Sequence, residues 1–396
     1  MDMGLTPQST KYLKETNLEY RKIMGQYFTP KSVREELIGL IPKNLKNPLV
    51  LDPACGSGEF LLTAQNYFDN PRLEGWEIDK KLVEISKELV PKAIIKQADS
   101  LKLDTDKKYD VVIGNPPYFE MKPDKEVRAR YSEVIGGRSN IFSFFVYRGL
   151  ELLKEGGYLA YVIPPSMNNG AYFAKLREYI VRTADIKTIK ILKTDLFSGA
   201  QQLTMLMVLQ KATNTGKYQF RVDGIRIFSQ DWEYLEKAFE GKKTLETMGF
   251  KVKTGKVVWN QNKTKLSNNK NMTTLIWSHN IGAEGNLVFD NKENKLQYVD
   301  LPNPEYGPAL VVNRITGAST SAKIRAALIP EGFKFFAENH CNVIYPPIRQ
   351  GKGYDMNLIL EIQRQLRSPE KVKIFQSITG NTQISKNELL KLFPID

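Results

Sequence analysis

The chain has 396 residues, of which 41% are hydrophobic and 26% charged, proportions typical of a soluble globular protein. No apolar run is long enough to span a bilayer, and the N-terminal residues lack the apolar core of a signal peptide. These features exclude membrane-spanning and secreted classes and predict an intracellular, cytoplasmic protein. Cys55 and Cys341, far apart in sequence, fit a reducing compartment without a disulfide framework.

The chain is strongly basic. It carries 57 Lys and Arg against 44 Asp and Glu, a formal net charge of +13. From residue 216 onwards, 26 basic side chains stand against 18 acidic ones, so the shorter second part is the more basic. An excess of this size favours a polyanionic partner such as nucleic acid.

Between residues 48 and 210, apolar runs typical of strands alternate with segments spaced as amphipathic helices. The predicted strands are PLVLDPA, LEGWEID, AIIKQAD, YDVVIGN, GGYLAYVIPP, IKTIKIL and LTMLMVLQ. The predicted helices are GEFLLTAQNYF, KKLVEISKELV, SNIFSFFVYRGLELL and AYFAKLREYIV. This alternation predicts an α/β fold with a seven-stranded, mostly parallel sheet and helices on both faces. The last two strands lack a helix-length gap between them, so we expect an antiparallel pair at one edge.

We place a domain boundary near residue 215, where the pattern changes to shorter, irregular segments rich in Lys, Asn, Gly and Thr. The predicted domains are residues 1–215 and residues 216–396, the second of α+β type. Within the second, the polar stretch NQNKTKLSNNKN (260–271) has two open interpretations, a solvated loop or a DNA contact. The only histidines, His279 and His340, show no zinc spacing, and we expect structural roles and no metal site.

A glycine-rich turn follows the first strand in LDPACGSGEF (51–60). Gly56 and Gly58 allow close backbone approach to a ligand, and the helix that follows offers unpaired N–H groups. Acidic residues also end the next two predicted strands. Glu77 and Asp79 end the second strand, and Asp99 ends the third. Carboxylates at the carboxyl ends of successive parallel strands predict a pocket shaped for a nucleoside. Each acid has the alternative role of a helix cap.

The stretch GNPPYFE (114–120) ends a buried strand with two consecutive prolines. Each proline fixes its own backbone and removes a donor, and the first also restricts Asn115. The result is a stiff corner suited to presenting hydrogen-bond acceptors. An ordinary end of a strand is the alternative interpretation.

Taken in order, six motifs resemble those of the S-adenosylmethionine-dependent amino-group DNA methyltransferases of the gamma order, of adenine-specific N-P-P-Y type. They are GQYFTP (25–30), LDPACGSGEF (51–60), WEID, QADSL, GNPPYFE and YVIPPSMNNGAYFAKLREYI (161–180). The resemblance covers about residues 20–210 and is looser beyond. It implies a Rossmann-like methyltransferase sheet in an S-adenosylmethionine-binding catalytic domain, followed by a DNA target-recognition domain.

The resemblance also implies a cofactor site. Asp52 to Gly58 would surround the methionine part of S-adenosyl-L-methionine, with Tyr27 to Pro30 on its other side. Glu77, preferred over Asp79, would hold the ribose, and Asp99 the cofactor's adenine. The complete implied set is Tyr27, Phe28, Thr29, Pro30, Asp52, Pro53, Ala54, Gly56, Gly58, Glu77, Ile78, Asp99, Ser100, Asn115 and Phe119.

The implied catalytic residues are Asn115, Pro116, Tyr118 and Phe173. The Asn115 side-chain oxygen and the Pro116 carbonyl would accept the two hydrogens of the target amino group. Tyr118 and Phe173 would stack on the two faces of a base rotated out of the duplex. For Phe173, a place in the core of an amphipathic helix is the alternative.

The expected partner is double-stranded DNA, with a separate cognate restriction endonuclease as a possible second partner, no membrane, and monomeric action. Four alternatives remain open: methylation of RNA adenine, of the cytosine amino group, or of a protein glutamine amide, and a catalytically silent DNA-binding protein. Some 50 residues precede the cofactor motif, which is fewer than the extra domain of the glutamine-specific enzymes or a fused nuclease requires.

Overall fold

The computed structural model describes residues 3–192, 204–289, 295–314, 323–348, 353–379 and 384–396. The chain divides into two compact units, one of Met1–Phe220 with Arg226–Trp232 and one of Arg221–Ile225 with Glu233–Asp396. The functional roles assigned above to the two predicted domains stay predictions.

The first unit is built of alternating helices and strands. Its elements are α1 (Pro7–Glu15), α2 (Leu18–Ile23), α3 (Lys31–Gly39), β1 (Leu49–Asp52), α4 (Glu59–Tyr67), β2 (Arg72–Glu77), α5 (Lys80–Leu89), β3 (Ile94–Gln97), β4 (Tyr109–Gly114), β5 (Glu120–Met121), α6 (Lys125–Arg130), β6 (Ser139–Asn140), α7 (Ile141–Leu152), β7 (Leu153–Ile163), α8 (Ala174–Thr183), β8 (Asp185–Ile191) and β9 (Met205–Gln210).

Seven of these strands form one sheet in the order β3-β2-β1-β4-β7-β9-β8. All neighbouring pairs are parallel except those of β9, which runs antiparallel to both β7 and β8. The predicted fold class and the antiparallel edge are confirmed. The connection before β9, residues 193–203, lies outside the described residues.

The sheet separates two apolar layers, and alternation along each strand divides its side chains between them. In β1, Leu49 and Leu51 pack in the layer with Phe142 of α7, while Val50 packs in the layer with Leu61 of α4. The strand order reverses at β1, which has β2 on one side and β4 on the other. Open α/β sheets bind ligands where the order reverses in this way, at the carboxyl ends of the strands.

The second unit contains short strands and three C-terminal helices. The elements from residue 219 onwards are β10 (Gln219–Val222), β11 (Ile225–Phe228), α9 (Trp232–Phe239), β12 (Lys251–Thr254), β13 (Leu266–Ser267), β14 (Thr273–Ile276), β15 (Tyr298–Val299), β16 (Glu305–Tyr306), β17 (Ala309–Asn313), β18 (Ala326–Ile329), β19 (Lys334–Ala337), β20 (Cys341–Tyr345), α10 (Met356–Leu366), α11 (Pro369–Thr379) and α12 (Lys386–Leu392). The β10–β11 hairpin is divided between the two units, and the chain from Glu233 onwards belongs to the second.

Two sheets organise the second unit, and the predicted α+β type is confirmed. One is antiparallel with the order β12-β20-β17-β18, and the other is mixed with the order β13-β15-β14-β19-β16. Their core includes Ile276, Val311, Phe335 and Val343, all fully buried. Among the described helices of either unit, none is long and apolar enough to cross a membrane.

Candidate functional site

A pocket opens at the carboxyl ends of β1, β2, β3 and β4. Thirteen of the fifteen predicted cofactor residues line it: Tyr27, Phe28, Thr29, Asp52, Pro53, Ala54, Gly56, Glu77, Ile78, Asp99, Ser100, Asn115 and Phe119. The other two, Pro30 and Gly58, instead precede α3 and α4 as their N-caps. The sheet thus brings together segments that lie up to about ninety residues apart in sequence.

The two positions of the first turn require glycine for different structural reasons. Gly58 has a φ of +91°, and a Cβ there would lie 2.7 Å from Ser86 Oγ, so a side chain is excluded by both strain and space. Gly56 has a φ of +53°, and a Cβ there would meet no described heavy atom within 4 Å. Gly58 therefore allows close packing against Ser86, while Gly56 leaves space in the pocket that a side chain would fill.

Asp52 ends β1 with its side chain only 1% exposed. Its Oδ1 accepts the Ala54 N–H at 3.0 Å. A Cβ on the neighbouring Gly114, whose φ is +147°, would lie 2.7 Å from that same oxygen. Burial raises the pKa of Asp52 to about 8, and the negative charge of Glu77 adds to the rise. A bound cation would draw this carboxyl into its charged form.

Glu77 and Asp79 have separate tasks. Glu77 Oε1 accepts the N–H groups of Ile78 and Asp79, each at 2.9 Å, and its Oε2 accepts that of Gly56 at 2.9 Å. An ionised carboxylate can accept about four hydrogen bonds, two at each oxygen. These three bonds therefore leave Oε2 able to accept about one further hydrogen bond. Burial raises the pKa of Glu77. Glu77 therefore ties the glycine turn to the end of β2 and still faces the pocket.

Asp79 is occupied elsewhere. Its Oδ1 caps α5 by accepting the N–H groups of Lys81 and Leu82 at 2.9 and 3.3 Å. Its Oδ2 accepts from the Tyr20 hydroxyl at 2.8 Å and from Gln26 Nε2 at 3.0 Å. Asp79 is not among the pocket-lining residues, whereas Glu77 is.

The third strand end contributes Asp99 and Ser100. Asp99 Oδ1 accepts the Leu101 N–H at 3.0 Å within a turn, and no helix lies in the described connection between β3 and β4, so the helix-cap alternative is wrong for Asp99. The residue lines the pocket. Ser100 is 5% exposed, and its hydroxyl donates to the Pro53 carbonyl. Ser100 therefore holds the backbone of the first turn in place.

The start of α1 is bonded to the glycine turn and to α4, a contact that the sequence patterns did not reveal. Thr6 donates from its N–H and its hydroxyl to Glu59 Oε1, both at 2.8 Å, and Ser9 Oγ lies 2.7 Å from Ser57 Oγ. Glu59 also pairs with Arg34, whose Nη2 lies 2.7 Å from Oε2, with both side chains buried. The signals available were the Thr6-Pro7 start of a helix and the acid at position 59.

At the end of β4, the side-chain amide of Asn115 is held from both sides. Its Nδ2 donates to Thr29 Oγ1 at 3.0 Å and to the Tyr27 carbonyl at 3.3 Å. Its Oδ1 accepts from the Tyr118 hydroxyl. Pro116 is buried. Asn115 and Asp52 line the same pocket, because β1 and β4 are neighbours in the sheet.

The two predicted stacking aromatics lie around a third ring. Tyr118 meets Phe142 edge to face, with ring centroids 6.3 Å apart. Phe173 also contacts Phe142, with centroids 5.0 Å apart. Both side chains are partly buried against the apolar layer that contains Phe142. The structure thus places both Tyr118 and Phe173 against Phe142, while their stacking on a base stays a prediction.

Arg177 supports the loop that carries Phe173 and was not foreseen from the sequence. It is 1% exposed, and its Nη1 donates to the carbonyls of Met167 and Gly170, each at 2.9 Å. Its Nε donates to the Arg226 carbonyl at 2.8 Å. Burial lowers the pKa of Arg177 to about 10. A buried guanidinium with carbonyl acceptors gives this loop a defined shape.

The histidines lie beside an acidic and an aromatic side chain, and both cysteines are buried. His340 Nδ1 lies 2.7 Å from Glu338 Oε1, and His279 stacks on Trp277. Cys55 and Cys341 are buried and unpaired with each other. Among the described residues, no group of three His, Cys, Asp or Glu is arranged to hold a metal ion.

The family comparison matches the region that contributes most of this pocket's lining. Residues 52–197 match the model of the Eco57I restriction-modification methylase family. The resemblance to restriction-modification DNA methyltransferases is confirmed.

Individual relatives extend the match. The type II methyltransferase M.CvrRI of Paramecium bursaria Chlorella virus XZ-6E is 29% identical over 291 residues, which cover 71% of this chain and 74% of that protein. The modification methylase CviBIII of Paramecium bursaria Chlorella virus NC1A is 26% identical over 397 residues, with 98% of each chain covered. The similarity to the second relative therefore spans both units.

Solved structures give weaker matches. The methyltransferase subunit of a type I restriction-modification system from Streptococcus thermophilus is 18% identical, with a TM-score of 0.42 over 61% of this chain and 65% of that chain. The EcoKI M protein of a type I restriction enzyme is 21% identical, with a TM-score of 0.41 over 48% of this chain and 44% of that chain.

Proposed function

We propose that this chain is a site-specific DNA adenine methyltransferase. It transfers a methyl group from S-adenosyl-L-methionine to the exocyclic amino group of an adenine flipped out of duplex DNA. The observation that carries this proposal is the position of the Asn115 amide at the end of β4, next to the acidic pocket at the end of β1. The relatives named as a type II methyltransferase and a modification methylase support it.

The pocket suits the chemistry of the cofactor. S-adenosyl-L-methionine presents hydroxyl and amino donors and two cationic groups, and when bound it supplies an electrophilic methyl group. The pocket lining offers the carboxyls of Asp52, Glu77 and Asp99. Its one basic side chain, Arg34, is paired with Glu59 within the described residues. An acceptor-rich site lined by carboxyl groups favours such a ligand over a phosphate, which needs donors.

Asn115 and Pro116 address the weak nucleophilicity of the target nitrogen. The lone pair of an exocyclic amino group is delocalised into the ring. Acceptance of its two hydrogens by Asn115 Oδ1 and the Pro116 carbonyl favours a tetrahedral nitrogen and stabilises the positive charge that develops during attack. Two rigid, preorganised acceptors contribute about 3 kcal/mol each, the scale found for one such group elsewhere.

The target base must leave the helix to reach this corner, at a cost of a few kcal/mol in lost stacking and pairing. Tyr118 and Phe173 offset that cost by stacking on the flipped base. The second unit binds the duplex around the target and reads its sequence. The chain acts as a monomer, and a separate restriction endonuclease shares its recognition sequence.

One experiment tests the acceptor class. The protein is incubated with S-adenosylmethionine labelled in the methyl group and with duplex DNA, RNA and a protein extract in separate reactions. We expect label in duplex DNA alone. Label in RNA or in a protein glutamine amide would replace the proposed substrate. Cofactor binding with no transfer to any of the three would identify a silent DNA-binding protein.

A further inference from the structure

The orientation of the Asn115 side chain has a second requirement. The oxygen and nitrogen ends of a side-chain amide have nearly the same shape, but only the oxygen accepts a hydrogen bond. If the amide rotated by half a turn, Nδ2 would face the target amino group, and donor would meet donor. Something must therefore hold the nitrogen end away from the target.

Two acceptors from the N-terminal segment hold that end. Asn115 Nδ2 donates to Thr29 Oγ1 at 3.0 Å and to the Tyr27 carbonyl at 3.3 Å. A carbonyl can only accept, so the nitrogen of Asn115 must be the end that faces Tyr27. The Thr29 hydroxyl makes the shorter of the two bonds. Both contacts join residues more than 85 positions apart in sequence.

Thr29 is itself fixed from behind. It is 4% exposed, and its carbonyl accepts from Arg34 Nη1 at 2.6 Å. Arg34 in turn pairs with Glu59 at 2.7 Å. Both side chains of this pair are buried, so the surrounding protein restricts their motion. The backbone of Thr29 is thus held in place, and this fixes the position of its hydroxyl.

We propose that Thr29 is a positioning residue for the transfer step: its hydroxyl holds Asn115 Nδ2, so that Asn115 Oδ1 faces the target amino group. This role rests on the proposed function and differs from the cofactor contact that the resemblance implies for Thr29. It acts on kcat through Asn115, whereas a cofactor contact acts on cofactor affinity.

A matched pair of variants separates the two roles. Thr29→Val keeps the shape and removes the hydroxyl, while Thr29→Ser keeps the hydroxyl. We expect Thr29→Val to lower kcat about tenfold, the scale of one hydrogen bond to a catalytic group, and Thr29→Ser to restore most of it. The cofactor Kd should change less than about threefold in both. A loss of cofactor affinity with kcat unchanged would overturn the proposal.

A second readout needs no turnover, which keeps this inference distinct from the proposed function. The side-chain NH₂ of Asn115, identified in ¹H–¹⁵N spectra by its disappearance in Asn115→Ala, reports whether its nitrogen is held. We expect slow hydrogen exchange at this group in the wild type and in Thr29→Ser, and faster exchange in Thr29→Val. Equal exchange in all three would overturn the positioning role, whatever the wild type methylates. Absence of methyl transfer by the wild type would instead count against the proposed function.

Discussion

The Tyr118 hydroxyl lies within hydrogen-bonding distance of both Asn115 Oδ1 and the Val162 carbonyl, the latter at 2.6 Å. A hydroxyl has one proton, so it donates to only one of these acceptors at a time. When the proton is directed to Val162, Asn115 Oδ1 is left to the target amino group. The hydroxyl therefore competes with the substrate for Asn115, while the ring offers a surface for stacking.

Two variants at position 118 separate the hydroxyl from the ring. Tyr118→Phe keeps the ring and removes the competing donor, so we expect kcat within about tenfold of wild type, the scale of one hydrogen bond. Tyr118→Ala removes the stacking surface, worth about 1–3 kcal/mol for a base, and we expect a larger loss in kcat/KM for DNA. Equal losses in the two variants would show that the ring does not stack on the target.

Glu77 and Asp79 provide a second matched pair. In Glu77→Gln, an NH₂ group replaces one of the oxygens that accept backbone N–H groups at the turn. We expect the cofactor Kd to rise at least about tenfold, because both a charge and the turn geometry are lost. Asp79→Asn should mainly lower the melting temperature, since Asp79 anchors α5 and Tyr20. Calorimetric titration and thermal melting of both variants check this division, and a larger affinity loss in Asp79→Asn would reverse the assignment.

The buried carboxyl of Asp52 makes cofactor affinity depend on pH. Its pKa is raised to about 8 by burial, so the free protein holds a proton there at neutral pH. Cationic groups of the cofactor favour the ionised form. Affinity should therefore rise with pH up to about 8, by at most about tenfold per unit, and then level off. Titrations between about pH 6 and 9 measure this, and the dependence should flatten in Asp52→Asn.

The same group affects stability in the opposite direction. Because its folded pKa lies above the unfolded value, the folded chain keeps a proton that the unfolded chain has lost. The free energy of unfolding therefore falls as pH rises from about 4 to about 8 through this group. The melting temperature of Asp52→Asn relative to wild type should rise over that window. A constant difference would mean that Asp52 is ionised in the folded protein throughout.

The polar stretch of the second unit has the charge expected of a segment that binds DNA. No acidic residue lies between Glu246 and Glu284, and Lys263, Lys265 and Lys270 in this interval are exposed. We expect the triple change of these lysines to Gln to weaken DNA binding and to lower the slope of log K against log salt by about 0.9 for each phosphate that is no longer neutralised. Binding measured at several salt concentrations gives the slope directly.

A control for charge alone is available in the same unit. Lys237, Lys373 and Lys386 are also exposed and lie in α9, α11 and α12. Their triple change to Gln removes the same net charge. If both triple variants changed the slope equally, the stretch 260–271 would be a solvated loop with no special role in binding.

Local patterns in the sequence were sufficient to predict the strands of the sheet and the helices between them. The alternation of Leu49, Val50 and Leu51 between two layers, and the helical spacing after each strand, follow from short-range periodicity. The position of Asp79 directly before KKLVEISKEL was also a legible N-cap signal, and the structure confirms that cap.

Contacts between distant segments could not be predicted in this way. The bond from Asn115 to Thr29 spans 86 positions, and those from Thr6 to Glu59 span 53. Such pairs depend on how the N-terminal helices dock against the finished sheet, which no local period encodes. The burial that raises the pKa of Asp52 is of the same kind, since the side chain lies against Gly114, which is distant in sequence.

The most direct test of the central claim combines product identity with Asn115. Unmethylated duplex DNA of mixed sequence is incubated with the protein and with S-adenosylmethionine carrying a deuterated methyl group, then digested to nucleosides and resolved by mass. We predict deuterated N6-methyladenine from the wild type, and none from Asn115→Ala, which should still bind DNA and cofactor. Labelled methylcytosine, or an equal yield of methyladenine from Asn115→Ala, would contradict the account.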